Sequence, residues 1–190
     1  EEDVDRMFNE FVPLQLECLA DFSTLIPGTL DIMSKLKGRG YKVGSTTGYT
    51  EDMMEILQRE AKKQGYVPDS IVCASQVPAG RPYPFMLLQN LINLKTSPVE
   101  ACVKIDDTIP GIEEGLNAGC WTIGLTVSGN EVGLSLDDWQ GLSEAKQQSL
   151  RQKATHRHIQ SGAHYVVDSI KEIMPCLDDI ERRLSCGERP

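Results

Sequence analysis

The chain has 190 residues, a length that suits one compact domain or one domain with a short appendage. Asp and Glu outnumber Lys and Arg by 28 to 19, a net charge of −9, which argues against nucleic acid or an anionic membrane as partner because both need a basic face. Charged residues at 25% and apolar residues at 40% exclude a disordered chain, and the longest apolar runs fall far short of the ~20 residues that cross a bilayer.

The first residues, Glu1 to Asp5, lack the basic and apolar regions of a signal peptide, and no initiator Met is present, so the true N-terminus is expected upstream. Residues 4–21 then read as a helix, with Val4, Met7, Phe8, Phe11 and Leu14 at 3- and 4-residue spacing and a kink or break at Pro13. Pro27 opens a second helix carrying Leu30, Met33 and Leu36 and closed by Gly38 or Gly40. A strand over 41–45 leads to a helix over 51–63 capped by Thr50 and ended by Gly65. A short strand over 70–73, a helix over 84–94, a strand over 102–105, a helix over 110–118 and a strand over 121–127 follow. Residues 128–142 read as a loop with little regular structure. A polar helix over 143–161, a strand over 164–167 and an amphipathic helix over 169–184 complete the chain; Ile170, Ile173, Met174, Leu177 and Ile180 give the last one a core face.

Strand–helix alternation at these lengths predicts an α/β fold, a Rossmann-like parallel sheet with helices on both faces. Ligands bind such sheets at the carboxyl ends of the strands, so the residues just after each strand carry the most information. Four of these junctions are polar: Ser45 to Tyr49, Gly80-Arg81-Pro82, Asp106-Asp107-Thr108 and Asp168-Ser169. Hydroxyls and backbone N–H groups over 45–50, ahead of a helix, form an anion site, although Thr46 and Thr47 ending the strand and Thr50 capping the helix explain the same residues. Arg81 offers a permanently charged fork for two phosphate oxygens, or is simply an exposed turn residue. Asp106 and Asp107 end an apolar strand, and two adjacent carboxylates call for a cation; oxygen-only ligation suits Mg²⁺. His156, His158 and His164 do not match a zinc spacing, and His164 reads as a packing residue. The six cysteines, Cys18, Cys73, Cys102, Cys120, Cys176 and Cys186, form no Cys-x-x-Cys pair and read as reduced core thiols of a cytoplasmic protein.

In chain order these pieces resemble motifs two, three and four of the haloacid dehalogenase superfamily of phosphotransferring hydrolases. The strings Gly44-Ser45-Thr46-Thr47-Gly48-Tyr49-Thr50, Pro78-Ala79-Gly80-Arg81-Pro82-Tyr83-Pro84, Asn117-Ala118-Gly119-Cys120-Trp121-Thr122 and Gly162-Ala163-His164-Tyr165 are similar to the phosphonoacetaldehyde hydrolase family within it. The likeness covers essentially all 190 residues, as the family's C-terminal portion. It implies residues 1–24 as the end of a helical cap and its return linker, and 25–190 as the haloacid dehalogenase-like core.

The resemblance further implies Mg²⁺-dependent cleavage of the C–P bond of a small phosphonate, phosphonoacetaldehyde, to acetaldehyde and phosphate in phosphonate degradation. A cap lysine forms a Schiff base with the aldehyde, an Asp attacks phosphorus, and water hydrolyses the aspartyl phosphate. By position, Thr47 and the Gly48 backbone bind phosphoryl oxygens, Tyr49 lines the site, Arg81 clamps the phosphoryl group and Asp107 binds Mg²⁺. The family's second metal acid, four residues on, falls at Gly111, and Asp106 is its substitute. The family's opening Asp-x-Ala-Gly-Thr strand and its Schiff-base lysine have no counterpart here; Lys35, Lys37, Lys42 and Lys104 fall at core positions. The absent strand belongs centrally, between those over 41–45 and 102–105. The chain is therefore expected to be a piece of a longer homodimeric enzyme and inactive alone. The alternatives are another phosphatase or phosphomutase of the superfamily, or a non-catalytic remnant.

Overall fold

The computed structural model describes residues 11–190. Its elements run α1 (residues 11–18), α2 (Thr29–Gly38), β1 (Gly44–Thr47), α3 (Glu51–Lys63), β2 (Ser70–Cys73), α4 (Phe85–Leu94) and β3 (Val103–Asp106). Then come α5 (Ile109–Ala118), β4 (Trp121–Leu125), α6 (Leu136–Gly141), α7 (Glu144–Gln160), β5 (Tyr165–Val167) and α8 (Ile173–Ser185). The α/β alternation matches the expectation; residues 4–10 of the predicted first helix lie outside the described residues. The helix at 11–18 continues through Pro13.

All strand pairs are parallel, but they form two sheets rather than one. β1 pairs with β2, and β3, β4 and β5 form the other sheet in that order. The break falls between β1 and β3.

Helices cover both faces. Along β4 the side chains alternate, as a pleat requires. Trp121 and Ile123 enter a core with Ile32 and Leu36 of α2 and Ile173, Leu177 and Ile180 of α8. Thr122 and Gly124 face the other way, where a Cβ on Gly124 would lie 2.7 Å from the His158 ring of α7. β3 is split in the same manner. Val103 and Ile105 pack on the α2–α8 core, whereas Lys104 and Asp106 are buried on the face that carries α5.

Several boundaries differ from those read in the sequence. β1 begins at Gly44 because the Asp69 carboxylate takes the Val43 N–H at 2.8 Å ahead of the ladder. It extends to Thr47 because the β-branched Thr46 and Thr47 pair with Val72 and Cys73. α2 starts at Thr29, after Gly28 in the left-handed region. Thr50 is the N-cap of α3 by position, yet its side chain makes no capping bond. The expected loop over 128–142 contains α6, capped by Ser135 accepting the Asp138 N–H at 3.1 Å and anchored by the buried Trp139. One buried residue in six is too little periodicity to announce a helix. Among the six unbridged thiols, Cys73 and Cys120 are core residues, but Cys18 and Cys186 are exposed. Both lie at the ends of helices at the surface, not in the strand-like segments.

Helix α5 lies close against β3 and β4 because Gly111 and Gly115, four residues apart, face the sheet. A Cβ on Gly115 would sit 2.6 Å from the Lys104 Cβ and 2.8 Å from the Thr122 Cγ2, atoms rooted to the strand backbone. Gly115→Ala is accordingly expected to lower stability by about 1–3 kcal/mol through overpacking, read as a fall in the urea midpoint with unchanged slope.

Candidate active site

The carboxyl ends of the parallel strands share one edge, and the polar junctions meet there. The space between β1 and β3 is bridged by side chains in place of backbone hydrogen bonds. Arg81 comes from a turn closed by the Tyr83 N–H donating to the Gly80 carbonyl at 3.1 Å, and the Asn117 amide ties this turn to α5 through the Pro82 carbonyl at 2.9 Å. From there the guanidinium Nη2 donates to the Thr46 carbonyl at 2.9 Å and to its hydroxyl at 3.0 Å. The same nitrogen is 3.3 Å from Asp106 Oδ2, and Nε is 3.3 Å from Glu114 Oε2.

Lys104, from the middle of β3, completes the cluster. Its Nζ lies 2.6 Å from Glu114 Oε2, 2.5 Å from the Thr46 hydroxyl and 3.2 Å from Asp106 Oδ2. Two cations and two carboxylates thus balance in a region where Glu114 is fully buried and Lys104 and Asp106 nearly so. Burial alone pushes the Asp106 carboxyl up. The Lys104 and Arg81 charges, with bonds from the Thr108 N–H and hydroxyl, outweigh it and hold the group below the usual carboxylate range.

Of the residues singled out in the sequence, Arg81 and Asp106 are in direct contact. A Cβ built at Gly111 would overlap the Asp106 carboxylate, so Asp106 fills the space that a side chain at 111 would need. Asp107 turns to the neighbouring loop, where its Oδ2 accepts the Asn130 N–H at 2.9 Å. Gly129 passes so close to Asp107 that an added Cβ would overlap it, which explains the glycine in Ser128-Gly129-Asn130. Thr47 accepts the Tyr49 N–H at 3.2 Å, which shapes the turn after β1, and a Cβ on Gly48 would meet nothing within 4 Å. This leaves room at that turn for an anion beside the backbone. Asp168, at the fourth junction, is an anchor: it accepts the Thr126 hydroxyl at 2.9 Å and Arg151 Nε at 2.7 Å. His164 packs its edge on Trp121 and pairs with Thr122, as its reading as a packing residue requires. The sequence reading named Thr46 only as a strand-end or anion-site hydroxyl and Lys104 only as a residue at a core position, and it did not name Glu114.

No group of three His, Cys, Asp or Glu side chains converges among the described residues. Mg²⁺ is ordinarily held by one or two carboxylates together with water and phosphoryl oxygens. Of the two acids expected to hold it, Asp106 is taken up by Arg81, Lys104 and Thr108, while Asp107 gives one oxygen to the Asn130 N–H and has Oδ1 uncommitted among the described residues. A separate cavity of about 600 Å³ lies between α3 and the β1–β2 sheet, lined by Met54, Leu57 and Ile71 among others. The charged groups converge elsewhere.

Residues 1–119 match the family model of haloacid dehalogenase-like hydrolases. A phosphonoacetaldehyde hydrolase of Vibrio campbellii is 43% identical over 190 residues, all of this chain and 70% of that protein. The chain belongs to the phosphonoacetaldehyde hydrolase family of haloacid dehalogenase-like hydrolases. Another family member, from Hahella chejuensis, is 45% identical over all of this chain and 65% of its own length. The chain therefore spans about two thirds of the curated relatives it matches. A crystal structure of a phosphonoacetaldehyde hydrolase-like protein from Oleispira antarctica superposes with a TM-score of 0.97 at 48% identity, covering all of this chain and 69% of that one. No described helix is long and apolar enough to cross a membrane.

Proposed function

We propose that this chain contributes the phosphoryl- and metal-binding half of an enzyme that hydrolyses phosphonoacetaldehyde to acetaldehyde and phosphate. The observation that carries the reading is Arg81. Its Nε and Nη2 are held by Glu114, Thr46 and Asp106, while Nη1 has no partner among the described residues. A guanidinium fixed on two nitrogens with the third open is set to receive a phosphoryl oxygen. The Gly48 turn stands at the end of β1 as a second contact, Thr47 gives the turn its shape, and Tyr49 flanks it. Asp107, with Asp106 beside it, would hold Mg²⁺, which would neutralise charge on the phosphoryl oxygens.

The nucleophilic carboxylate and the imine-forming lysine come, on this reading, from segments beyond these 190 residues. The strand bearing the nucleophile enters between β1 and β3, and the lysine comes from a cap over the same edge. The open edges of both strands support this, because an unpaired interior edge leaves backbone groups unsatisfied. Residues 1–24 belong to that cap and its return, and the complete enzyme is a homodimer. In the overall reaction the C–P bond breaks with its electron pair going to carbon as an enamine, carbon takes a proton, water supplies the new P–O bond, and hydrolysis of the imine releases acetaldehyde and frees the lysine.

The test expresses the chain with its natural flanking sequence and follows acetaldehyde and phosphate release from phosphonoacetaldehyde. Mg²⁺-dependent turnover, lysine trapped by borohydride in the presence of the aldehyde, and loss of turnover by about 10²-fold or more in Asp107→Ala are expected. Residues 1–190 alone should be inactive. Turnover of phosphate monoesters without any trapped imine would instead identify a phosphatase or phosphomutase of the superfamily, and no turnover from a folded protein a non-catalytic module.

A further inference from the structure

We infer that Glu114 is a positioning residue for Arg81, acting within a buried charge cluster with Lys104 and Thr46. This rests on the reading of Arg81 as the phosphoryl clamp. The case begins with the helix. Gly111 and Gly115 let α5 settle onto β3 and β4, and Glu114 on the same stretch of helix reaches the space beside β1. One oxygen, Oε2, then gathers three donors: Lys104 Nζ at 2.6 Å, the Thr46 hydroxyl at 3.2 Å and Arg81 Nε at 3.3 Å.

Among the three charged members Arg81 reaches furthest toward solvent, with 21% of its side chain exposed against 0% for Glu114 and 8% for Lys104. The exposed end is thus steered by a buried base. An Arg in a turn has several free torsions, and its fork is useful only in one plane. Glu114 fixes Nε, the Thr46 carbonyl fixes Nη2, and the remaining edge is defined by elimination. Lys104 supplies the second positive charge beside the fully buried Glu114. Glu114 Oε1 has no hydrogen-bond partner among the described residues, and every polar contact of the carboxylate there runs through Oε2. Its one engaged oxygen serves the Arg81 cluster.

The experiment is a double-mutant cycle in the protein with its natural flanking sequence, comparing Arg81→Ala, Glu114→Gln and the two together. Glu114→Gln is expected to lower kcat/KM by about 10–100-fold, the scale of loss when a reacting geometry shifts by about 1 Å. Arg81→Ala should lose more, and the double variant should be no worse than Arg81→Ala within about threefold, because Glu114 has nothing left to position. A role in folding alone predicts independent losses. A double variant worse than Arg81→Ala by the full Glu114→Gln factor would overturn the proposal while leaving the clamp intact. Unchanged turnover in Arg81→Ala would overturn the clamp itself, and the inference with it. If Glu114→Gln does not fold, the paired Lys104→Met and Glu114→Met exchange replaces the buried ion pair with apolar groups and enters the same cycle, with the same two outcomes deciding it.

Discussion

Arg81→Ala is expected to lower kcat/KM for phosphonoacetaldehyde by about 10²–10³-fold, the cost of removing one preorganised donor from a developing anion. Arg81→Lys should recover less than tenfold of it. A lysine delivers one ammonium, and the three tasks here fall on three nitrogens: Nε on Glu114, Nη2 on the Thr46 carbonyl and Nη1 toward the open side. Whichever partner the ammonium took, it would forfeit the other contacts and the planar fork. The drop should be seen mainly in kcat if the contact strengthens as the phosphoryl group transfers, and in KM if substrate and transition state are held equally. Steady-state kinetics with phosphate release as readout, alongside a melting curve for each variant, separates these cases.

Much of this arrangement could be read from the residues, and what could not has a physical reason. The strand–helix order was legible because apolar runs such as Trp121 to Leu125 are bounded by glycine, and because Pro and Thr mark helix starts. The four polar junctions were legible because parallel sheets bind at one edge. Arg81 stood out by its setting between Gly80 and Pro82. Lys104 was placed in the core but not linked to the site, and Glu114 did not stand out, because a Glu in a helix is ordinarily solvated. The signal was there in weaker form. Lys104 and Asp106 alternate with Val103 and Ile105, whose side of the strand is apolar, so both charges lie on the opposite buried face. A buried charge needs a counter-charge. Glu114, flanked by Gly111 and Gly115 that bring its helix close, is the one that sequence spacing offers. The same packing leaves no room for a side chain at 111 beside the Asp106 carboxylate. By contrast, α6 rests on a single buried Trp, and the positions of Cys18 and Cys186 at the surface depend on how helices end, which cysteine count does not encode.

Lys104→Met should be the most damaging single substitution to the fold, at about 3–5 kcal/mol, the range for breaking a buried ion pair by removing one partner. The side chain is 8% exposed and holds Glu114, Thr46 and Asp106 together. Methionine matches its length and fills its space, so cavity formation contributes little. What remains is Asp106 and the fully buried Glu114 sharing one cation, Arg81. The loss should depend on pH in a definite direction. In the parent the Asp106 carboxyl lies below its usual range, as burial is outweighed by Lys104 and Arg81. Its contribution to stability is therefore complete above the usual carboxylate range and disappears as pH falls through the lowered folded value. Without Lys104 the folded value rises, and acid unfolding begins at higher pH. Urea denaturation of parent and variant from neutral to acid pH reads both effects. A midpoint unchanged at neutral pH would mean that Glu114 finds another partner, and that the two sheets are not held together by this cluster. Adding Glu114→Met to the variant should restore most of the lost stability, since it removes the stranded charge rather than a contact, while leaving Arg81 without its guide.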